Sequence, residues 1–237
     1  GVTLALGMGA TSAAHAQVRS QELRASEDPG EFYSAAMQKG DTYVLIGEQS
    51  LEDQKASVAV SGDGGATWEV HKTMATGRLV SGYMFDEKNG LVAGAGTEGA
   101  ILKTKDGGKT LETVYQNEDN FVDLVFSDPA NGWAVGKYGL IVGTTDGGVT
   151  WEMLASPTEE DLWDIDVGAP GTLWISGDQG VVGYSTDAGA SWVLVGLQMT
   201  IFETTKALTK PMRGIVADGA KAWASTEWGR VYYLELE

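Results

Sequence analysis

The chain has 237 residues, a formal net charge of −17, 43% hydrophobic residues, 33 glycines, 5 prolines, two histidines and no cysteine. Disulfide and thiol chemistry are therefore excluded, His15 and His71 are too few for a histidine metal centre, and the negative charge repels nucleic acid and anionic lipid heads while favouring basic partners. Eight tryptophans can fill one sizeable core, and many glycines against few prolines suit a single domain of many tight turns.

Residues 1–16, GVTLALGMGATSAAHA, carry no Lys, Arg, Asp or Glu, include an apolar stretch and end in Ala14-His15-Ala16, the small-x-small pattern of an export cleavage site. They are expected to be the remnant of a signal peptide, with a disordered Ala/Gly-rich leader as the alternative. The mature chain is then a single domain over residues 17–237, placed in the periplasm or outside the cell. No later segment approaches the ~18 consecutive apolar residues that span a bilayer, so no direct membrane insertion is expected. Gln17 to Ser26 (QVRSQELRAS) alternate acceptably for a strand.

Four copies of one motif follow: SGDGGATW from Ser61, TKDGGKTL from Thr104, TTDGGVTW from Thr144 and STDAGASW from Ser185. Aligned on Asp63, Asp106, Asp146 and Asp187 they recur at intervals of 43, 40 and 41 residues, units long enough for four short strands each. That period predicts an all-β fold, a β-propeller. Within a motif the Asp can bond to backbone donors of its own turn, the second Gly supplies a positive φ, and the last residue plugs the sheet with an apolar side chain. These four Asp residues are expected to be structural.

The third unit shows the layout best. FVDLVF (Phe121 to Phe126) is an inner strand A, GWAVG strand B and GLIVGTT strand C, and the motif then leads into strand D. Laid on this pattern, blades begin near Phe32, Arg78, Asn120, Asp161 and Met212, giving about five four-stranded blades. The fifth supplies only three strands, since the position matching Asp146 falls on Leu236. Its missing strand D is expected from Gln17 to Ser26, closing the ring and removing exposed edges. The alternative is a longer propeller of which this chain is a part.

The motif resembles the Asp-box, or BNR repeat, of sialidases and of many non-enzymatic propellers. The longer unit NGWAVGKYGLIVGTTDGGVTWE (Asn131 to Glu152) is similar to the repeat of the photosystem II assembly/stability factor family, which has members in bacteria without a photosystem. That resemblance implies a non-enzymatic, exported propeller, without cofactor, acting as an assembly factor, scaffold or accessory subunit for a membrane or envelope protein complex. Members in oxygenic phototrophs have seven blades and an arginine-rich patch. This chain shows five units and Arg only at positions 19, 24, 78, 213 and 230, so no such patch carries over. A sialidase-like hydrolase needs three arginines, a Tyr nucleophile paired with Glu and an acidic proton donor. Only Arg78, Arg213 and Arg230 lie in blades, and no Phe/Tyr-Arg-Ile-Pro motif precedes the first box. Hydrolysis and glycan binding are the alternative functions.

The repeat also separates two faces. Asp-boxes share one with the A-to-B turns, so the B-to-C and D-to-A loops share the other. Its B-to-C tips are Thr97-Glu98, Lys137-Tyr138, Asp178-Gln179 and Glu227-Trp228, with a longer insert, Glu48 to Ser57, in blade one. Glu118, Asp119, Glu159, Glu160 and Asp161 join them from the D-to-A loops, as do Ile201 and Phe202 from the long connection TIFETTKALTKP. Aromatic tips beside carboxylates suit a basic, partly apolar polypeptide partner, with Tyr138 and Trp228 as anchors; solvated loops are the alternative. Strand A contributes a polar ring of Ser34, Gly82, Asp123, Asp164 and Arg213, with Asp166 beyond, either a channel collar or bonds between blades.

Overall fold

The computed structural model describes residues 33–49, 55–95, 99–201 and 204–236. The expected signal peptide, the closing strand Gln17 to Ser26, Glu98 and Phe202 lie outside that set. Blade one comprises β1 (Tyr33–Lys39), β2 (Thr42–Gln49), β3 (Lys55–Ser61) and β4 (Glu69–Thr76), and blade two β5 (Arg78–Met84), β6 (Gly90–Ala95), β7 (Gly99–Thr104) and β8 (Glu112–Asn117). Blade three is β9 (Phe121–Phe126), β10 (Gly132–Gly136), β11 (Ile141–Thr144) and β12 (Glu152–Met153), and blade four β13 (Leu162–Val167), β14 (Leu173–Gly177), β15 (Val182–Ser185) and β16 (Val193–Leu194). Each is an antiparallel sheet whose strands lie in chain order. A hairpin of β17 (Gln198–Ile201) and β18 (Thr204–Ala207) occupies the long connection that the sequence marked only as a loop. Blade five then forms from β19 (Met212–Asp218), β20 (Lys221–Thr226) and β21 (Val231–Glu235).

Inner strands pack in succession, β1 on β5, β5 on β9, β9 on β13 and β13 on β19, as in a propeller. The core is split accordingly into clusters between neighbouring blades. Strand β10, GWAVG, is buried at all five positions because both of its faces are covered: Ala134 points towards blade two, Trp133 and Val135 towards blade four. Continuous apolar runs, rather than alternation, are what such doubly covered strands require.

The Asp-box explains how one blade grips the next. In blade three the Thr144 hydroxyl donates to Asp146 Oδ1 at 2.8 Å, while Asp146 accepts the Thr150 N–H at 2.9 Å and its hydroxyl at 2.6 Å. The same bonds recur at Asp63, Asp106 and Asp187. This pinches the turn so that Gly108, Gly148 and Gly189 adopt φ of +96°, +77° and +88°. Here the preceding blade presses in. A Cβ on Gly108 would lie 2.9 Å from Val44 Cγ1, one on Gly148 2.2 Å from Leu91 Cδ1, and one on Gly189 3.0 Å from Leu154 Cδ1, with Trp133 Nε1 beside it at 3.5 Å. Trp133 also donates its indole N–H to Ala188 O at 2.9 Å. Trp174 holds the matching place in blade four, yet its buried indole N–H has no partner, because blade five presents no box among the described residues.

Asp146→Ala is therefore expected to lower the melting temperature, by loosening the turn that receives Leu91, while leaving the opposite face and its binding unchanged. Thermal melts and titration of the folded fraction check both halves. A folded variant that had lost binding would assign the box to the working surface.

Candidate functional site

The two faces are held apart by backbone bonds. Each box leans on its own A-to-B turn: Gly64, Gly107, Gly147 and Ala188 donate to Asp41, Lys88, Ala130 and Gly171 carbonyls. At the opposite rim the B-to-C tips lean on D-to-A loops, with the Lys137 N–H donating to Asn120 O and the Asp178 N–H to Asp161 O. Tyr138 and Gln179 sit at the tips of two short 3₁₀ turns in left-handed conformation, φ 54° and 52°. For a residue with a Cβ this costs roughly 1–2 kcal/mol. It keeps the Tyr138 ring standing into solvent, 73% exposed, and Trp228 is 69% exposed on the matching tip of blade five.

Between these aromatics runs a continuous polar and aromatic row across blades three to five. Lys137 Nζ donates to Asp161 Oδ2 at 2.7 Å, and the Tyr138 N–H donates to Asp161 Oδ1 at 3.0 Å. Burial pushes the Asp161 carboxyl up, but these bonds outweigh it and hold the group below its ordinary range. Lys137 Nζ lies 3.9 Å from the ring centroid of Trp163, and Arg213 Cζ, arriving from blade five, lies 4.1 Å from it. Trp163 donates its indole N–H to Asp178 Oδ1 at 2.7 Å. Arg213 further pairs with Glu227 at 3.3 Å and Asp178 at 3.9 Å, and Glu227 accepts the Trp228 indole N–H at 3.0 Å. Lys210 Nζ closes the row, 4.3 Å from the Trp228 ring centroid.

Several expected rim residues, Tyr138, Asp161, Asp178, Glu227 and Trp228, are thus joined in one row, with Gln179, Glu159 and Glu160 exposed beside it. Trp163 and Lys210 were not singled out by sequence, and Lys137 only as part of a turn tip. A signal for Trp163 existed, since the matching inner-strand positions in blades two and three are Val80 and Val122. Three of the rim carboxylates, Asp161, Asp178 and Glu227, already have cationic partners, while Glu159 and Glu160, with Glu118 on the loop into blade three, are exposed as outward negative charge.

The strand A polar ring is a set of stitches between blades. The Ser81 hydroxyl donates to Asp123 Oδ1 at 2.7 Å, the Ile165 N–H to Asp123 Oδ2 at 3.1 Å, the Ile215 N–H to Asp164 Oδ2 at 2.7 Å, and the Ala217 N–H to Asp166 Oδ2 at 2.7 Å. Ser34 likewise donates to Leu79 O of blade two at 2.8 Å. Strand pairing corrects the register at three positions. Ala35 opposite Ile46, Ser81 opposite Ala93 and Gly214 opposite Ser225 match Asp164 opposite Ser176, so the ring passes through Ala35, Ser81 and Gly214, not Ser34, Gly82 and Arg213. Arg213 occupies the bulge one residue earlier, and its guanidinium belongs to the rim.

A family model described as photosynthesis system II assembly factor YCF48 matches residues 112–235, just over half of the chain. The chain belongs to this family. Among solved structures it is similar to YCF48 from Cyanidioschyzon merolae, with 16% identity over 86% of this chain and 66% of that one and a TM-score of 0.58. It is similar also to the Niastella koreensis GH74 enzyme, with 17% identity over 84% and 34% of the two chains and a TM-score of 0.62. The Xanthomonas campestris GH74 xyloglucanase gives 12% identity over 86% and 38%, with the same TM-score of 0.62. At such identities these likenesses establish the propeller fold alone. The chain spans about a third to two thirds of the length of these structures. No curated protein matches it in sequence. Among the described residues, no helix is long and apolar enough to cross a membrane.

Proposed function

We propose that this YCF48-family propeller is a non-enzymatic, exported assembly factor or accessory subunit for a membrane or envelope protein complex, and that it grips a polypeptide of that complex by the rim of blades three to five. The observation that carries this reading is the rim row itself. Two tall aromatics, Tyr138 and Trp228, stand at either end of a row held rigid by Trp163 and its two cations. Rigid aromatic anchors with little conformational freedom to lose are what interface hot spots require. Glu159 and Glu160, together with the net charge of −17, give the approaching surface a field that attracts a basic segment.

Anchors and field fail differently when removed. Each aromatic anchor contributes ~2 kcal/mol or more on truncation, whereas exposed charges mainly set association rate and salt dependence. In capture experiments from the parent cell envelope, Tyr138→Ala combined with Trp228→Ala is expected to abolish retention of the partner. Reversing Glu159 and Glu160 to Lys should weaken retention mostly at low salt. Undiminished capture of the same partner by the double aromatic variant would overturn the assignment.

A further inference from the structure

Blades two and three enter strand B through the same turn, Asp86 to Gly90 and Asp128 to Gly132. In the second, Asp128 Oδ1 accepts the Asn131 N–H at 3.0 Å, Asp128 Oδ2 accepts its side-chain amide at 2.8 Å, and the Asn131 carbonyl accepts the Ser127 N–H at 3.0 Å. Asn89 makes the same three bonds, donating twice to Asp86 and accepting from Phe85, at 2.8 Å each. The glycine that follows is required as well. A Cβ on Gly132 would lie 2.5 Å from Phe126 Cζ, and one on Gly90 would meet Met84 Sδ and lie 2.8 Å from the Tyr83 carbonyl oxygen. A turn bond and a packing contact thus force Asn-Gly into both turns. Of the four asparagines only these two precede glycine, since Asn117 precedes Glu118 and Asn120 precedes Phe121.

We propose that Asn89 and Asn131 are sites of spontaneous deamidation, kept closed by the folded propeller and opened by unfolding, so that a chain whose B strands have come apart is marked irreversibly. No enzyme is needed. The Gly132 nitrogen, losing its proton to solvent, attacks Asn131 Cγ; the Cγ–Nδ2 bond breaks, ammonia leaves with a proton taken back from solvent, and a five-membered succinimide remains. Water then opens either carbonyl, giving a normal or a β-linked aspartyl residue. Glycine, without a side chain, hinders this attack least. The fold blocks the first step. Because the Ser127 N–H bonds to the Asn131 carbonyl, Phe126 and Gly132 are a pair without mutual bonds, and Gly132 turns its own N–H to Thr144 on β11. The bond from Phe85 to Asn89 sets Gly90 towards Thr104 on β7 in the same way. Both glycines are buried, and both carboxamides are held by a carboxylate.

A marked chain rebuilds the turn badly. The new carboxylate faces Asp128, whose own carboxyl is held at about 2 first by the Asn131 side-chain amide. The β-linked product also adds a methylene to the main chain just beyond Ala130 or Lys88, whose carbonyls accept the Gly147 and Gly107 N–H groups of the boxes at 2.9 Å.

The full chain, incubated folded and in guanidinium chloride in the same mildly alkaline buffer, is sampled over time and its peptides are mapped by mass spectrometry for the amide-to-acid change. In denaturant the peptides holding Asn89 and Asn131 are expected to convert several-fold faster than those holding Asn117 and Asn120. In the folded chain conversion at Asn89 and Asn131 should be ~100-fold slower or more, a core strand pair opening in well under ~1% of molecules. On dilution of the denaturant, unmodified chains should return to the folded fraction and modified chains should accumulate outside it. Asn131→Asp, which supplies the normal product directly, should melt below wild type. Equal conversion in folded and unfolded chain would overturn the proposal, as would an unfolded chain that spares Asn89 and Asn131. So would modified chains that refold as completely as unmodified ones.

Discussion

Asp164→Asn should leave stability near pH 4 unchanged and raise the melting temperature at pH 9. The Asp164 carboxyl is largely buried between inner strands, and burial first, then a hydrogen bond and like charge from Asp123, push it up to about 8, with Asp166 adding to the effect and the Ile215 N–H opposing it. The native state therefore prefers the protonated acid. Because the folded value lies above the unfolded one near 3.8, its contribution is fully present below pH ~4 and is lost as pH rises through ~8. An asparagine reproduces the protonated form, its oxygen accepting from Ile215 and its amide donating to Asp123. The gain at pH 9 should reach about 2 kcal/mol or more, a tenfold difference in proton affinity between folded and unfolded chains being worth ~1.4 kcal/mol. Asp63, Asp146 and Asp187 act in the other direction. Hydroxyl donors Thr67, Thr150 and Ser191 hold them at about 2, so their stabilisation is lost as pH falls from ~4 through 2. Melts of wild type and variant from pH 4 to 9 check this, and superimposable profiles would remove Asp123 and Asp164 from the account.

Gly180→Ala is expected to destabilise the fold by ~3 kcal/mol or more. Gly180 has φ +78°, and a Cβ there would lie 2.0 Å from Leu208 O and 2.8 Å from Leu208 C. The left-handed conformation alone costs ~1–2 kcal/mol with an alanine, and the clash with a backbone carbonyl must move the connection between β18 and β19 as well. Its neighbour offers a control of opposite sign. Gln179, at φ 52°, already bears that conformational cost and projects into solvent, so Gln179→Gly should be neutral or slightly stabilising. Denaturant melts of the two variants decide the matter, and a Gly180→Ala loss of no more than ~1–2 kcal/mol would mean that conformation rather than crowding rules this tip.

The fold was legible because the Asp-box is so tightly specified: an Asp, a hydroxyl four residues on and a left-handed Gly must coincide, and they do so at Asp63, Asp106, Asp146 and Asp187. Runs such as GWAVG and LWISG then read as strands covered on both faces. Tyr138 and Trp228 were legible as aromatics in turns. What joins them was not. Lys137 and Arg213 reach Trp163 from neighbouring blades, and no local pattern encodes a contact that depends on how blades are stacked. The polar ring slipped by one residue at Ser34, Gly82 and Arg213 because a bulge in the inner strand is visible only in its pairing with the strand beside it. The hairpin β17–β18 hid in a segment whose two short arms, QMTI and TTKA, carry little apolar periodicity.

Val44 fits against Gly108, Leu91 against Gly148 and Trp133 against Gly189, so every key precedes its keyhole by about sixty residues of chain. The interlock has a direction. As the polypeptide emerges from the ribosome or crosses a membrane, no blade can be latched until the following blade has been delivered through its box. Latching must then trail synthesis by a constant distance, like a zip following its slider, with each newly delivered turn securing the blade behind it. The repeat thus keeps its unprotected length roughly constant however many blades it contains, which makes lengthening by duplication mechanically undemanding.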